Sequence, residues 1–304
     1  MPHISVVIPV YKAEGCLQEL YRRLRASVET VTEDFEIIMV EDCGEDNSWE
    51  IMKAIRETDS RVKIIQLMRN FGQHNALMCG FHFVSGEYII TLDDDLQNPP
   101  EEIPKLINKI KEGYDLVYGI YTLKRHNFFR NLGSSMIQFF YKKVFSVQGN
   151  LTAFRIIKKQ VLQEILHYDK NYVFIDGLLA WVTKKIGYVK VDHNLRTHGH
   201  SGYSFKKLFT LSMNMITNFS ILPLQLSSIL GFLFAFLGFL MAFYFFIKKI
   251  FFNVPVAGYT SLIIAVTIFA GIQLVTIGLI GEYVGRIHLN INVKPQYIIK
   301  ELNV

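Results

Sequence analysis

Residues 91–100 read TLDDDLQNPP. A short apolar run, 88–92, ends there in three consecutive carboxylates, and a Pro-Pro pair follows. Proline is tolerated in the first turn of a helix, so the stretch reads as strand, acidic turn, helix. Working outward, the same alternation recurs. Runs rich in β-branched residues lie at 4–10, 36–40, 62–67, 88–92 and 116–118, and helical patterns at 15–31, 48–56 and 101–111 fill gaps between them. The pattern predicts an α/β fold with a mainly parallel sheet covered by helices. Ligands in such folds gather at the carboxyl ends of the strands. The strand ends Val40-Glu41-Asp42 and Leu92-Asp93-Asp94-Asp95 are therefore expected to face one cleft.

Composition narrows the class. The chain has 304 residues, of which 50% are hydrophobic, and a formal net charge of +5. That excess suits anionic phosphates or an anionic membrane face. Its Lys and Arg residues are scattered, with no basic tract interleaved with stacking aromatics, which argues against nucleic acid as a partner. Cys16, Cys43 and Cys79 are odd in number and lack C-x-x-C spacing, so neither a disulfide framework nor a zinc site is expected, and a reducing compartment fits. Segment 4–10 has no basic residues ahead of it and reads as a first strand rather than a signal peptide.

Two segments, 221–247 and 256–281, contain no charged residue. At about 1.5 Å per residue, each as a helix exceeds a hydrocarbon core of roughly 30 Å. They read as a transmembrane hairpin with both ends on one side. Lys206, Lys207, Arg286, Lys294 and Lys300 on that side, against Lys248 and Lys249 in the connection, give a mild positive-inside bias. The organisation expected is a cytosolic catalytic domain at 1–202, an amphipathic juxtamembrane helix at 203–220, the two spans, and a cytosolic tail at 282–304. The aromatic-rich stretch 125–147 suits either a packed helix or the membrane interface. Gly231, Gly238, Gly271, Gly278 and Gly281 would allow close helix contacts, within the pair or in a homo-oligomer.

Asp93 and Asp95, with one residue between them at a strand end, can share a hard cation such as Mg²⁺ or Mn²⁺. Gln97 adds a neutral oxygen. Such a cation would bridge a substrate pyrophosphate and offset charge on the leaving group. A solvated acidic loop is the bland alternative, and the flanking strand and Gln-x-Pro-Pro favour the metal. Pro9 and Tyr11, at the end of the first strand, can grip a flat base, and Asp42 can accept a hydrogen bond from a base or ribose. Asp176 reads two ways, as a helix-initiating residue or as a general base. His74, His193, His198 and His200 are either proton carriers or solvated loop residues. The run 199–202 reads as a mobile lid.

The motifs VIPVY (7–11), VEDCGEDNS (40–48), RNFGQHNA (69–76), DDDLQNPP (93–100), AFR (153–155) and IGEYVGR (280–286) occur in that order. Together they resemble family 2 glycosyltransferases of the GT-A fold. The likeness is closest to polyprenyl-phosphate sugar transferases of the dolichol-phosphate mannosyltransferase and bactoprenol glucosyltransferase kind, and it covers nearly the whole chain. It implies an inverting transfer from a UDP- or GDP-sugar to a polyprenyl phosphate, for cell-envelope glycan or lipid modification. The protein would lie in a bacterial inner membrane with its catalytic domain cytoplasmic.

By that resemblance Asp93, Asp95 and Gln97 hold the metal, and Pro9, Tyr11, Asp42 and Asp94 contact the nucleotide. Arg196 binds donor phosphate, and Arg155 lies near the acceptor phosphate. Four positions depart from the family pattern. Its Glu after the first strand is here Ala13, with Glu14 next as the stand-in. Its Asp-Asp-Gly is Glu41-Asp42-Cys43-Gly44, an expected arginine is Tyr121, and an expected lysine is Gly202. Lys124, Arg125, His198 or His200 are the replacement cations, Arg125 toward the acceptor phosphate. A phosphate monoester, with a second pKa near ~6, needs no general base, whereas a hydroxyl acceptor does. A hydroxyl-using transferase with Asp176 as base, and a non-catalytic nucleotide-sugar scaffold, are the competing readings.

Overall fold

A computed structural model describes residues 3–121, 152–192, 194, 221–252, 258–292 and 294–304. The expected juxtamembrane helix 203–220, the stretch 125–147, Lys124, Arg125, His193, Arg196, His198 and His200 lie outside them. The chain divides into two units: Met1–Gly202 with Val293–Val304, and Tyr203–Asn292.

The first unit is built on an eight-stranded sheet. Its strands are β1 (Ile4–Val10), β2 (Phe35–Glu41), β3 (Val62–Leu67), β4 (Tyr88–Thr91), β5 (Leu116–Ile120), β6 (Arg155–Lys158), β7 (Ile186–Lys190) and β8 (Ile299–Asn303). They run in the order β7-β5-β6-β4-β1-β2-β3-β8. Strands β4, β1, β2 and β3 form a continuous parallel core, and β5 and β7 are also parallel. Strand β6 is antiparallel to both β4 and β5, and β8 is antiparallel to β3. The sheet is thus mixed around a parallel centre.

Every residue of β1 and β2 is buried, as expected for central strands covered on both faces. On one face lie α1 (Leu17–Glu29), α2 (Ser48–Thr58) and α4 (Ile103–Ile110). Their stripes, such as Leu17, Leu20 and Leu24, pack with Val6, Ile8, Ile37 and Met39 in one apolar cluster. Pro100 opens the short 3₁₀ turn that leads into α4. On the other face lies α3 (Gln73–Phe81), whose Gly80 sits so close to the sheet that a Cβ would come within 2.5 Å of Val7 and 3.1 Å of Val40. Helices α5 (Lys159–Leu166) and α6 (Ile175–Val182) follow β6.

The last twelve residues differ from the expected tail. The stretch beginning at Ile299 is β8, paired in antiparallel register with β3 from Ile64↔Asn303 to Leu67↔Ile299. Ahead of it, Met68 N donates to Ile298 O at 2.9 Å, and Gln296 Nε2 donates to the carbonyls of Tyr168 and Lys170 at 2.8 and 3.0 Å. Tyr297 Oη lies 3.1 Å from Nδ1 of His82, the residue that caps α3.

The second unit holds two helices, α7 (Leu222–Phe252) and α8 (Tyr259–Ile291), of 31 and 33 residues. Both are longer than their charge-free segments, and α8 extends ten residues past the expected end at 281. Each is long and apolar enough to cross a membrane. They pair as an antiparallel hairpin. Ser227 Oγ donates to Thr276 Oγ1 at 3.2 Å, and a Cβ on Gly238 would touch Phe269 at 3.4 Å. Small residues and hydroxyl pairs are the usual means of close helix contact in lipid. Gly231, Gly271, Gly278 and Gly281 have open space where a Cβ would stand.

Candidate active site

The parallel strands β1, β2 and β4 end side by side, and the loops that leave them are tied together. Tyr11 N donates to Asp94 Oδ2 at 2.8 Å, joining the β1 and β4 loops. Ala13 N donates to Ser48 Oγ at 3.1 Å and Glu14 N to Asp46 Oδ2 at 3.1 Å, joining the β1 and β2 loops. Glu14 returns the contact, its Oε2 accepting from Asn47 N at 3.0 Å. A Cβ on Gly44 would lie 2.7 Å from Lys12 N, so only glycine allows that approach. Four non-glycine residues among those described have left-handed backbone: Lys12, Cys43, Glu45 and Leu96, with φ between 54° and 59°. All four sit in these strand-end loops. Such conformations cost on the order of 1–3 kcal/mol each and cluster where a site needs an unusual backbone.

Asp42 directly follows β2 and is almost fully buried. Its two carboxylate oxygens accept from Phe71 N at 2.7 Å and Gly72 N at 2.8 Å. Burial nevertheless raises its pKa, with the two amides opposing and neighbouring Glu41 adding to the rise. A carboxylate has about four lone-pair sites, so the amides leave it acceptor capacity. Pro9 is buried in β1, whereas Tyr11 is exposed with the Lys12 ammonium 5.5 Å from its ring centroid.

Beyond β4 the acidic run is partly buried. Gln73 Nε2 donates to Asp93 Oδ1 at 2.6 Å, and Gln97 N donates to Asp95 Oδ1 at 3.1 Å. Burial, and then the charges of Asp93 and Asp95, raise the pKa of the Tyr121 phenol. That tyrosine, just past β5, therefore lies within electrostatic reach of both outer carboxylates. Asn194 N donates to Gln97 O at 2.9 Å, tying that residue to the acidic turn.

The donor set suits a hard divalent cation. Two carboxylates and a side-chain amide oxygen are the oxygen ligands such ions take. Among the described residues no third His, Cys, Asp or Glu completes a protein-only cage.

A second cluster lies beside β5 and β6. Arg155 opens β6 opposite Thr91 of β4, and its side chain is 1% exposed. Its guanidinium donates to Asp176 Oδ1, which also accepts from the Tyr118 hydroxyl at 2.9 Å. Burial works against the charge on Arg155, and Asp176 and Tyr118 together outweigh it, leaving the guanidinium more firmly protonated. The His74 ring meets Phe174 edge-on at 5.5 Å, and burial lowers its pKa to about 4, so it is neutral near pH 7.

The residues named from the sequence thus fall into two groups. Tyr11, Asp42, Asp93, Asp94, Asp95 and Gln97 lie in the tied loops at one end of the parallel strands. Arg155 and Asp176 are enclosed together, and His74 lies near them. Gln73, Tyr118 and the Phe71 and Gly72 amides also take part, and the sequence reading does not single them out. The signal for Gln73 in the sequence is its place in RNFGQHNA, directly after a glycine.

Residues 5–167 match the model of the family described as "Glycosyl transferase family 2". This chain belongs to family 2 of the glycosyltransferases. Related family members include the undecaprenyl-phosphate 4-deoxy-4-formamido-L-arabinose transferases of Enterobacter sp. (strain 638) and Yersinia enterocolitica. Each is 36% identical, and each alignment spans 98% of this chain and 93% of the relative, apolar helices included. Among solved structures, the glucosyl-3-phosphoglycerate synthase of Mycobacterium tuberculosis with Mn²⁺, UDP and phosphoglyceric acid superposes with a TM-score of 0.52. It shares 16% identity over 71% of this chain and 76% of that one. At that identity the likeness shows the GT-A fold of this family 2 enzyme and nothing finer.

Proposed function

We propose that this glycosyltransferase moves a sugar, with inversion, from a nucleotide sugar to a polyprenyl phosphate. The reading rests above all on the near-full-length alignment with undecaprenyl-phosphate sugar transferases, which runs through both apolar helices. A family 2 domain on a pair of membrane-length helices suits an acceptor whose tail is in lipid and whose phosphate is in water. In this reading the protein is integral to a bacterial inner membrane with its catalytic unit on the cytoplasmic side.

The proposed roles combine the family resemblance with the contacts described above. Tyr11 offers an exposed ring to a base, and Asp42 and Asp94 accept from the nucleoside. Glu14 braces the loop beneath them. Asp93, Asp95 and Gln97 hold a divalent cation, Mg²⁺ or Mn²⁺, which would offset the charge of the departing nucleoside diphosphate. Arg196 and Arg125 are the proposed phosphate-binding cations, on the donor and acceptor sides. Arg155 contributes a fixed positive charge from beneath the acceptor side, held by Asp176. The acceptor phosphate, largely dianionic near neutrality, attacks without losing a proton.

That last point separates this reading from transfer to a hydroxyl. A hydroxyl acceptor needs a base, and Asp176, the candidate, is engaged by Arg155 and Tyr118.

The test is a donor screen. Membranes carrying the full chain are given radiolabelled UDP- and GDP-sugars with polyprenyl phosphate, and the lipid product is identified by mass. Label in a polyprenyl-phosphate sugar, lost in Asp95→Ala, is the expected outcome. Label in a lipid or glycan hydroxyl instead would overturn the acceptor, and no turnover of any donor would favour a non-catalytic scaffold.

A further inference from the structure

The segment 71–73 is held at both ends of the cleft. Phe71 N and Gly72 N give their hydrogens to Asp42 at the end of β2. One residue later, the Gln73 side chain gives its hydrogen to Asp93 at the end of β4, at 2.6 Å. The backbone between these contacts has little freedom. Gly72 has φ 87°, a conformation side-chain-bearing residues rarely adopt. Its carbonyl accepts from Asn75 N and Ala76 N at 3.0 and 3.1 Å, and Asn75 Nδ2 donates to Phe71 O at 2.8 Å. Helix α3, which Gln73 begins, is pinned at Gly80 against β1 and β2.

We infer that Gln73 is a positioning residue for Asp93, fixing the carboxylate rotamer in which Asp93 would meet the cation. This rests on the reading of Asp93 and Asp95 as cation ligands. A carboxylate at a strand end swings about two side-chain bonds. A short, charge-assisted bond to one oxygen from a donor on a fixed helix removes most of that freedom before any ion arrives. The chemistry of the donor matters. A Lys or Arg there would neutralise Asp93 and compete with the cation, whereas an amide orients the carboxylate and leaves its charge in place. Partners that orient metal ligands are worth roughly 10–100-fold in metal affinity. Because Gln73 is exposed, the lower end of that range applies.

The experiment uses the full chain in detergent. Mn²⁺ binding is followed by the electron paramagnetic resonance signal of the free ion for the wild type, Gln73→Ala, the near-isosteric Gln73→Leu, and Asp95→Ala. Both Gln73 variants should bind Mn²⁺ about tenfold more weakly, with melting temperatures unchanged in metal-free buffer. In turnover assays the Mn²⁺ concentration for half-maximal rate should rise by a similar factor, and the rate should recover at saturating Mn²⁺. A merely structural defect would not be rescued by metal. Wild-type Mn²⁺ affinity in both Gln73 variants, with binding lost in Asp95→Ala, would overturn this inference alone. Wild-type affinity in Asp95→Ala as well would overturn the cation site itself.

Discussion

The guanidinium of Arg155 and the carboxylate of Asp176 form an ion pair from which solvent is nearly excluded, with side chains 1% and 12% exposed. One carboxylate oxygen takes both this bond and the Tyr118 hydroxyl, and Tyr118 itself is fully buried. Two charges removed from water hold each other at a strand end that borders β4, whose next residues are the acidic run. The pair gives the buried guanidinium its counter-charge, and it engages the Asp176 oxygen that a general base would use.

Breaking the pair should cost stability before it costs chemistry. Asp176→Ala leaves a buried guanidinium unmatched, and losses of about 3–5 kcal/mol are typical of that change. Asp176→Asn keeps an acceptor for Tyr118 and should lose less. The double variant Arg155→Met/Asp176→Leu should be more stable than Asp176→Ala alone, as measured by denaturant titration. A fully stable Asp176→Asn protein whose turnover falls by orders of magnitude would restore the general-base reading.

His74 gives the fold a defined response to acid. Its pKa is about 4 in the folded protein against an ordinary value of 6.5. Between those values the unfolded chain takes up a proton that the folded chain refuses. Stability contributed by neutral His74 is therefore complete above about pH 6.5 and falls as the pH drops toward 4. His74→Gln should flatten the melting temperature profile across that window while leaving it parallel to wild type above pH 7.

Gly80 tests whether α3 positions the cleft. In Gly80→Ala the new methyl meets Val7 and Val40, and overpacking of this kind costs about 1–3 kcal/mol. The helix must lift to admit it, carrying Gln73 with it. Weaker Mn²⁺ binding should accompany the lower melting temperature. By contrast Gly86→Ala drives a Cβ to 2.8 Å from Ser5 N and 2.9 Å from Ile4 C. Backbone yields less than a valine side chain, so the loss of stability should be larger there, with no selective effect on metal.

Ending the chain after Asn292 removes β8 together with the Gln296 and Tyr297 contacts. Strand β3 then becomes a bare edge of mostly buried residues (Val62, Ile64, Ile65 and Leu67). The truncated protein should melt lower and aggregate more, seen by light scattering. Supplying 294–304 through a flexible linker directly after residue 202 should restore the sheet.

The central architecture was legible because parallel strands, covered on both faces, are written as unbroken apolar runs. All five runs read from the sequence are strands. Strand β6 (RIIK) is bounded by charged residues, β7 (IGYVK) is a half-exposed edge, and β8 is a polar edge (IKELN) whose partner lies more than two hundred residues earlier, so no unbroken apolar run announces them. Helix α3 escaped because it is buried around most of its circumference (Ala76 through Phe81), which erases the one-sided stripe that marks an amphipathic helix. The same contrast holds at the site. Carboxylates at strand ends advertise themselves, as Asp42 and the 93–95 run did. A neutral amide such as Gln73 does not, and nothing in AFR says that the Arg155 side chain turns inward to a partner 21 positions on.

The closing strand carries a consequence for how the enzyme is made. Translation delivers β1 through β7 first, then some sixty residues of apolar helix, and only afterwards the segment that becomes β8. The ribosome therefore releases a sheet with β3 unprotected, and the edge stays open throughout synthesis and insertion of the hairpin. When β8 arrives it brings Lys300 and Glu301 to the outer rim, charges of the kind that discourage edge-to-edge pairing between molecules. Completion of the sheet is thus gated by completion of the apolar helices, and a newly made chain that stalls in the hairpin leaves the β3 edge bare.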